Sequence, residues 1–370
     1  MTSGANRAIC IALLLALFLG GCSERREAGL SQRQIEKLVL AAKPCCESPG
    51  TWAAAIRESL LEIGKPVDKE HVCAVIAIIR QVSGFATVPQ NSAMPAILKK
   101  KIESSESNEV LRFIIQKRLD QTASNGKTFR ENIDSVGSER DFELWYNEFT
   151  SAVITRPILL AFNKDISNLV TTLGSMQVSV KFAEAYPKRP RNAGLAGIRE
   201  VLYTTKGGVF YGTAYLLDYE HRYDDWKYIF ADFNAGHYTS RNAGFQKMLA
   251  SLSRKTIELD GDLLSYKNGG NGSPSVTYTT FLELLKKKGV AFDEKTIARD
   301  FAQEKSIDFE KTYSYRTLSA MHRETFGYTV HAVLPEISLN SPKFVSKNLS
   351  TKWFARRVKS IYNRCMRTRI

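Results

Sequence analysis

No stretch of this 370-residue chain is apolar for the roughly 20 residues that a membrane-crossing helix requires. The bulk of the chain is therefore expected to form a soluble body. Histidine is scarce: the five residues are scattered and form no HExxH pair, and the six cysteines have no zinc-like spacing. Neither a metal centre nor a cofactor is expected. Strand-like alternation is confined to Thr256–Leu259 and Thr329–Leu334, and no internal repeat is present. Acidic side chains are also in deficit, 38 against 52 Lys and Arg, for a formal charge of +14.

The N-terminus sets the context for that charge. Arg7 precedes an uncharged apolar run, Ile9 to Leu19, too short to span a bilayer and suited to the core of a signal peptide. Leu19-Gly20-Gly21-Cys22 follows, and it resembles the bacterial lipobox, in which the cysteine is acylated and becomes the mature N-terminus. The resemblance implies a signal peptide over 1–21, lipidation of Cys22 and a tether over 22–50. Each buried CH₂ of an acyl chain contributes roughly 0.8 kcal/mol to membrane attachment. Ser23, rather than Asp, points to the outer membrane facing the periplasm. In a cytosolic protein the basic surplus would suggest nucleic acid. In an envelope the same long-range attraction serves peptidoglycan and lipopolysaccharide, and no nucleic-acid partner is expected.

An oxidising periplasm permits disulfides. Cys73 lies in the apolar run Val72–Ile76 and reads as a small buried hydrophobe. That leaves Cys45 or Cys46 to pair with Cys365. Elsewhere helical periodicity dominates. Helices are expected from Ser31, over 52–63 and 68–81, from Ser138, and at about 196–205, 209–219, 223–234, 240–251, 276–288 and 344–362. The Gly-rich segment 268–274 reads as a loop. The expected fold is all-α or strongly α-dominated with minor β pieces.

The helix over 68–81 ends in Ile78-Ile79-Arg80-Gln81-Val82-Ser83-Gly84-Phe85. This octapeptide resembles the first motif of the lysozyme-like lytic transglycosylases, I-I-R-Q-E-S-x-F in type, with Val82 where that family carries its catalytic glutamate. Gly174-Ser175-Met176-Gln177-Val178 resembles the G-L-M-Q motif, and Ala231-Asp232-Phe233-Asn234-Ala235-Gly236 resembles A-Y-N-A-G. Between them, Gly212–Leu217 resembles the helix that precedes the last motif. The resemblance implies a lysozyme-like domain over 51–340 with a helical insertion at about 92–170, and a basic helical segment over 341–370. It also implies a sugar-binding groove formed by Gln81, Ser83, Gln177 and Asn234, with Met176, Tyr211 and Phe233 as apolar walls. Tyr215 is expected to pack within its helix. The plainer reading makes Met176 core packing and gives Gln177 and Asn234 to helix ends. The whole pattern resembles an uncharacterised family of bacterial lipoproteins.

Transglycosylases of this kind rely on one protonated carboxyl, because the substrate's acetamido and 6-hydroxyl groups supply the rest. Valine cannot donate a proton, and loss of a positioned acid costs about 10²–10⁴-fold. Asp232, Glu143 and Glu148 are the available substitutes. The expected function is binding of peptidoglycan glycan strands with impaired or absent cleavage. The alternatives are an active lyase using another carboxyl, and an assembly lipoprotein holding a protein partner. Cys22→Ser is expected to release the protein from the membrane fraction, with loss of metabolic acyl labelling as the measurement.

Overall fold

A computed structural model describes residues 29–105, 109–151, 170–191, 193–266, 272–339 and 349–370. The signal peptide and Cys22 lie outside the described residues. So do most of the Gly-rich loop and the first part of the basic C-terminal segment.

Helix α1 (Gln32–Ala42) starts at a reciprocal capping box between Ser31 and Gln34 and buries Ile35, Leu38 and Val39. The described part of the expected tether is thus already core. Helix α2 (Pro49–Glu62) has proline in its first turn, where a missing N–H costs nothing. Helix α3 (Lys69–Val82) is capped by Asp68 and buries every residue from Val72 to Ile79. A helix apolar on all sides needs neighbours on all sides, and α3 obtains them from α1, α2 and the C-terminal helix.

Within the expected insertion of about 92–170, residues 152–169 lie outside the described residues, and the described ones carry four α-helices, α4 (Met94–Ser105), α5 (Glu109–Leu119), α6 (Phe129–Asn132) and α7 (Glu139–Thr150). Phe129, Trp145 and Phe149 form their aromatic centre, with the Trp145 and Phe149 rings stacked at 4.8 Å. A two-residue hairpin, β1 (Thr172–Leu173) with β2 (Val178–Ser179), precedes the short helices α8 (Val180–Ala185) and α9 (Ile198–Leu202). Helix α10 (Thr205–Leu217) is buried along almost its whole length. Its glycines allow the close packing: a Cβ at Gly212 would sit 2.3 Å from Met176 Sδ.

After α11 (Trp226–Ala235) the chain enters a second core, made by α12 (Thr239–Ser253), α13 (Val276–Lys287), α14 (Glu294–Phe301) and α15 (Tyr313–Phe326) around Phe245, Phe281, Phe301 and Phe309. A second hairpin, β3 (Leu264–Ser265) with β4 (Ser273–Pro274), lies on its edge. Arg241, nearly wholly buried, donates to the carbonyls of Glu304 and Ser306 and to Asn242 Oδ1, so neutral oxygens take the place of water around a buried charge. The chain then returns across α12 to α16 (Thr351–Arg367), which packs on α1, α3 and α11 in the first core. Its buried residues Thr351, Phe354, Ala355, Val358, Tyr362 and Cys365 follow a three-to-four residue period.

Three expectations need correction. Cys365 bonds Cys73, across a Cα–Cα distance of 5.6 Å, and Cys45 and Cys46 are free. Cys73 was correctly placed in the core; its partner arrives from 292 residues away, on a helix docked against its own. Residues 256–259 and 329–334 form no strand. The second crosses α12, donating from Val333 N to Ser240 O at 2.9 Å, and Gly244 leaves space for its backbone. Helices α14 and α15 were not anticipated, since charged and polar residues interrupt their apolar spacing. Replacing Cys73 and Cys365 together by Ala is expected to cost about 2–4 kcal/mol by freeing the unfolded chain, measured as the shift in urea midpoint of the oxidised protein.

Candidate functional site

The three motif segments do not meet in one groove. Met176 and Tyr211 are each 0 % exposed: Met176 fills the notch at Gly212, and Tyr211 packs edge-on against Phe210 and Tyr186. Neither is a wall for a ligand. Gln177 turns back on its own hairpin, donating to Gly174 O at 3.2 Å and accepting from Thr172 Oγ1 at 3.2 Å. Its backbone is left-handed, with φ of 51°. Phe233 lies edge-on to Tyr215, which in turn stacks on His237 at 4.5 Å. Asn234 accepts from Thr351 Oγ1 at 2.9 Å, so α16 occupies the face it would have offered.

The first motif does line an opening. Residues 80–84, at the end of α3, face Arg357, Ser360, Ile361, Arg364 and Cys365 of α16 and Ala41–Ala42 of α1 across a cavity of about 430 Å³. Gln81, Val82 and Ser83 are half-buried in its wall, and the Ser83 hydroxyl donates to Ile79 O at 3.1 Å. Arg80, Arg357 and Arg364 are exposed along it. No carboxylate and no aromatic ring lines it among the described residues. The Cys73–Cys365 bond and a Lys359–Asp225 ion pair at 2.9 Å hold the α16 wall in place.

Beyond Gly84 lies a second cavity of about 560 Å³, lined by Lys43, Cys45, Cys46, Trp52, Phe85 and Thr205 among others. Lys43 Nζ donates to Gly84 O at 3.1 Å. Gly84 and Phe85 both have positive φ, 60° and 67°, and Phe85 is held there edge-on to Trp52 at 5.3 Å. Burial pushes the Cys46 thiol above its ordinary range, which disfavours the reactive thiolate.

The carboxylates considered as substitute acids are all engaged. Glu143 accepts from Arg199 Nε at 2.6 Å, and Glu148 accepts from Ser124 N. Asp232 is 0 % exposed. It accepts from Ser240 N at 2.8 Å, Tyr238 N at 2.8 Å, and the hydroxyls of Tyr223 at 2.6 Å and Tyr219 at 3.3 Å. Tyr238, in a left-handed conformation, begins α12 without a side-chain cap of its own, and Asp232 supplies the acceptor from the preceding helix. Burial nevertheless pushes the Asp232 carboxyl up to about 6, against those hydrogen bonds. Around it His237 stacks on Tyr219 at 3.9 Å and donates from Nε2 to Tyr215 O at 2.7 Å. Burial, with the charge of Lys65 nearby, pushes His221 down to about 4.

The molecule is thus an α-helical protein of two cores meeting at a buried carboxylate, with a cationic cleft that no carboxylate lines among the described residues. The chain belongs to the family described as "Protein of unknown function (DUF1615)", whose model matches residues 46–368. It is also similar to the "Uncharacterized protein YaiW" of Escherichia coli strain K12, 30% identical over 372 residues that cover 99% of this chain and 100% of that protein. No solved structure matches it.

Opposing pH dependences follow from the buried groups. His221 takes up its proton in the unfolded chain first, so its contribution to stability is lost as pH falls from 6.5 to about 4. Asp232 takes up its proton in the folded chain first, so it adds stability as pH falls from about 6 to 3.8. Urea midpoints across this range should fall less steeply with acid for His221→Gln, and more steeply for Asp232→Asn. The latter is also expected to cost about 1–3 kcal/mol at neutral pH by turning an amide N–H toward a backbone donor.

Proposed function

We propose that this protein is an envelope lipoprotein, anchored in the outer membrane through Cys22, that binds peptidoglycan without cleaving it. The site is the cleft between α3 and α16. One observation carries the reading: the opening at the octapeptide contains no carboxyl group among the described residues. A glycosidic oxygen needs a proton from a donor within hydrogen-bond reach. Val82 has none to give, Asp232 is sealed inside the protein, and Glu143 and Glu148 are held by other groups. What remains is a cleft of a size suited to a small group, cationic, on a strongly basic chain and therefore attractive to the acidic cell-wall polymer.

The alternative assembly role also has an observation behind it. Val110 and Phe113 lie three residues apart on α5 and expose 61% and 67% of their surface. Side chains at that spacing share a helix face, and such a face suits a protein partner. Crosslinking in cells from position 113 distinguishes this role, since it would yield a protein adduct.

Purified sacculi are expected to retain the protein while releasing no anhydro-muropeptides by mass spectrometry, at any enzyme dose. Val82→Glu is expected to release none either, because Arg357 and Arg364 across the cleft would keep the new carboxyl ionised. Anhydro products from that variant would show that one substitution separates this site from an enzyme.

A further inference from the structure

We propose that the cleft recognises carboxylates on the peptide stems of peptidoglycan, not the sugar rings of its strands; this rests on the reading that peptidoglycan is the ligand. The lining argues against sugar. A pyranose face is held by flat apolar surface, and no aromatic side chain lines this cavity among the described residues. Tyr211 is core, and Phe233 lies against Tyr215.

The lining argues for acid. Arg357 and Arg364 are two turns apart on one face of α16, about 10 Å along the axis at ~1.5 Å per residue. Arg80 faces them from the end of α3. The fixed donor fork of a guanidinium matches a carboxylate in bidentate fashion. Three forks distributed over that length fit an extended acidic segment of about three residues better than one compact ion. Gln81 and Ser360 add neutral polar groups between the arginines.

The wall that carries two of the arginines is fixed in place. α16 is fixed on α3 by the disulfide beside Arg364 and by Lys69 Nζ donating to Thr368 O at 2.7 Å, and at the start of α11 by the Lys359–Asp225 pair. No lining carboxylate among the described residues offsets the charge of the arginines. Arg80 and Arg364 each lie in the last turn of their helix, where the dipole favours a cation; Arg357 lies within α16, its guanidinium 6.0 Å from the Trp353 ring. An acidic ligand offsets all three.

The test compares intact sacculi with sacculi stripped of their stems by an amidase. It uses the parent protein, the cleft variant Arg357→Gln/Arg364→Gln, and a control, Arg356→Gln/Arg367→Gln, which removes equal charge from α16 outside the cleft lining. Thermal midpoints establish that all three are folded. Stripping the stems and altering the cleft are each expected to lower retention roughly tenfold or more, the loss of charge-assisted hydrogen bonds. The control should bind as the parent does, and added salt should weaken binding. Equal retention of stripped strands, or equal loss in the control, overturns the inference while leaving peptidoglycan binding intact. If no sacculi are retained, peptidoglycan binding itself fails. Fluorescence anisotropy with a labelled acidic stem peptide then decides the cleft chemistry: parent binding lost in the cleft variant supports it, and no binding overturns it.

Discussion

One carboxylate, Asp232, joins the two halves of this protein. It ends the first core, on α11, and accepts the free N–H groups that begin the second, on α12. Both tyrosine hydroxyls that reach it come from the loop between α10 and α11, and Tyr223 also accepts from Arg241 N at 3.2 Å. The loop, both helices and the buried arginine are thus positioned relative to two oxygen atoms. A group so fully satisfied cannot serve at the same time as an exposed acid. The residue nearest to a surviving catalytic carboxyl in the sequence is a structural joint.

The C-terminal helix does the opposite kind of work, because it makes surface. By docking across α3 and α11, α16 covers Asn234 and turns the end of α3 from one side of an open groove into one wall of a closed-in cleft. The chemistry of the opening changes accordingly. Guanidinium groups from α16 line the opening, and the neighbouring valine adds no polar group. The family match over 46–368 includes α3 and α16 but not Ala41 and Ala42, which also line the cleft.

Much of the helical framework was legible in the sequence because caps and periodicity are local. Ser31, Asp68 and Ser138 each start a helix where their hydroxyl or carboxylate implied one. The site was less legible, for reasons that are physical. The three motifs coincide with places where the backbone turns left-handed, at Phe85, Gln177 and Tyr238 just past the third. Their similarity to a transglycosylase pattern therefore includes demands of turning as well as of chemistry. One signal could have corrected Tyr211: its helix is apolar all round, which leaves no outward face for a wall residue. The basic end of the chain was noted, but nothing local says that Arg357 and Arg364 will face Arg80. The same distance concealed the Cys73–Cys365 bond.

The docking of α16 also fixes an order of events. α3 is apolar on every side and is made early, yet the helix that closes over it is made long afterwards, far along the chain. Nearly the whole chain must be delivered before the first core can be completed. Until then α3 presents an uncovered hydrophobic flank, the kind of surface that slows folding and invites association when contacts are far apart in sequence. A chain truncated before residue 351 would retain most of its residues and lack the side of its own core that makes them a finished protein.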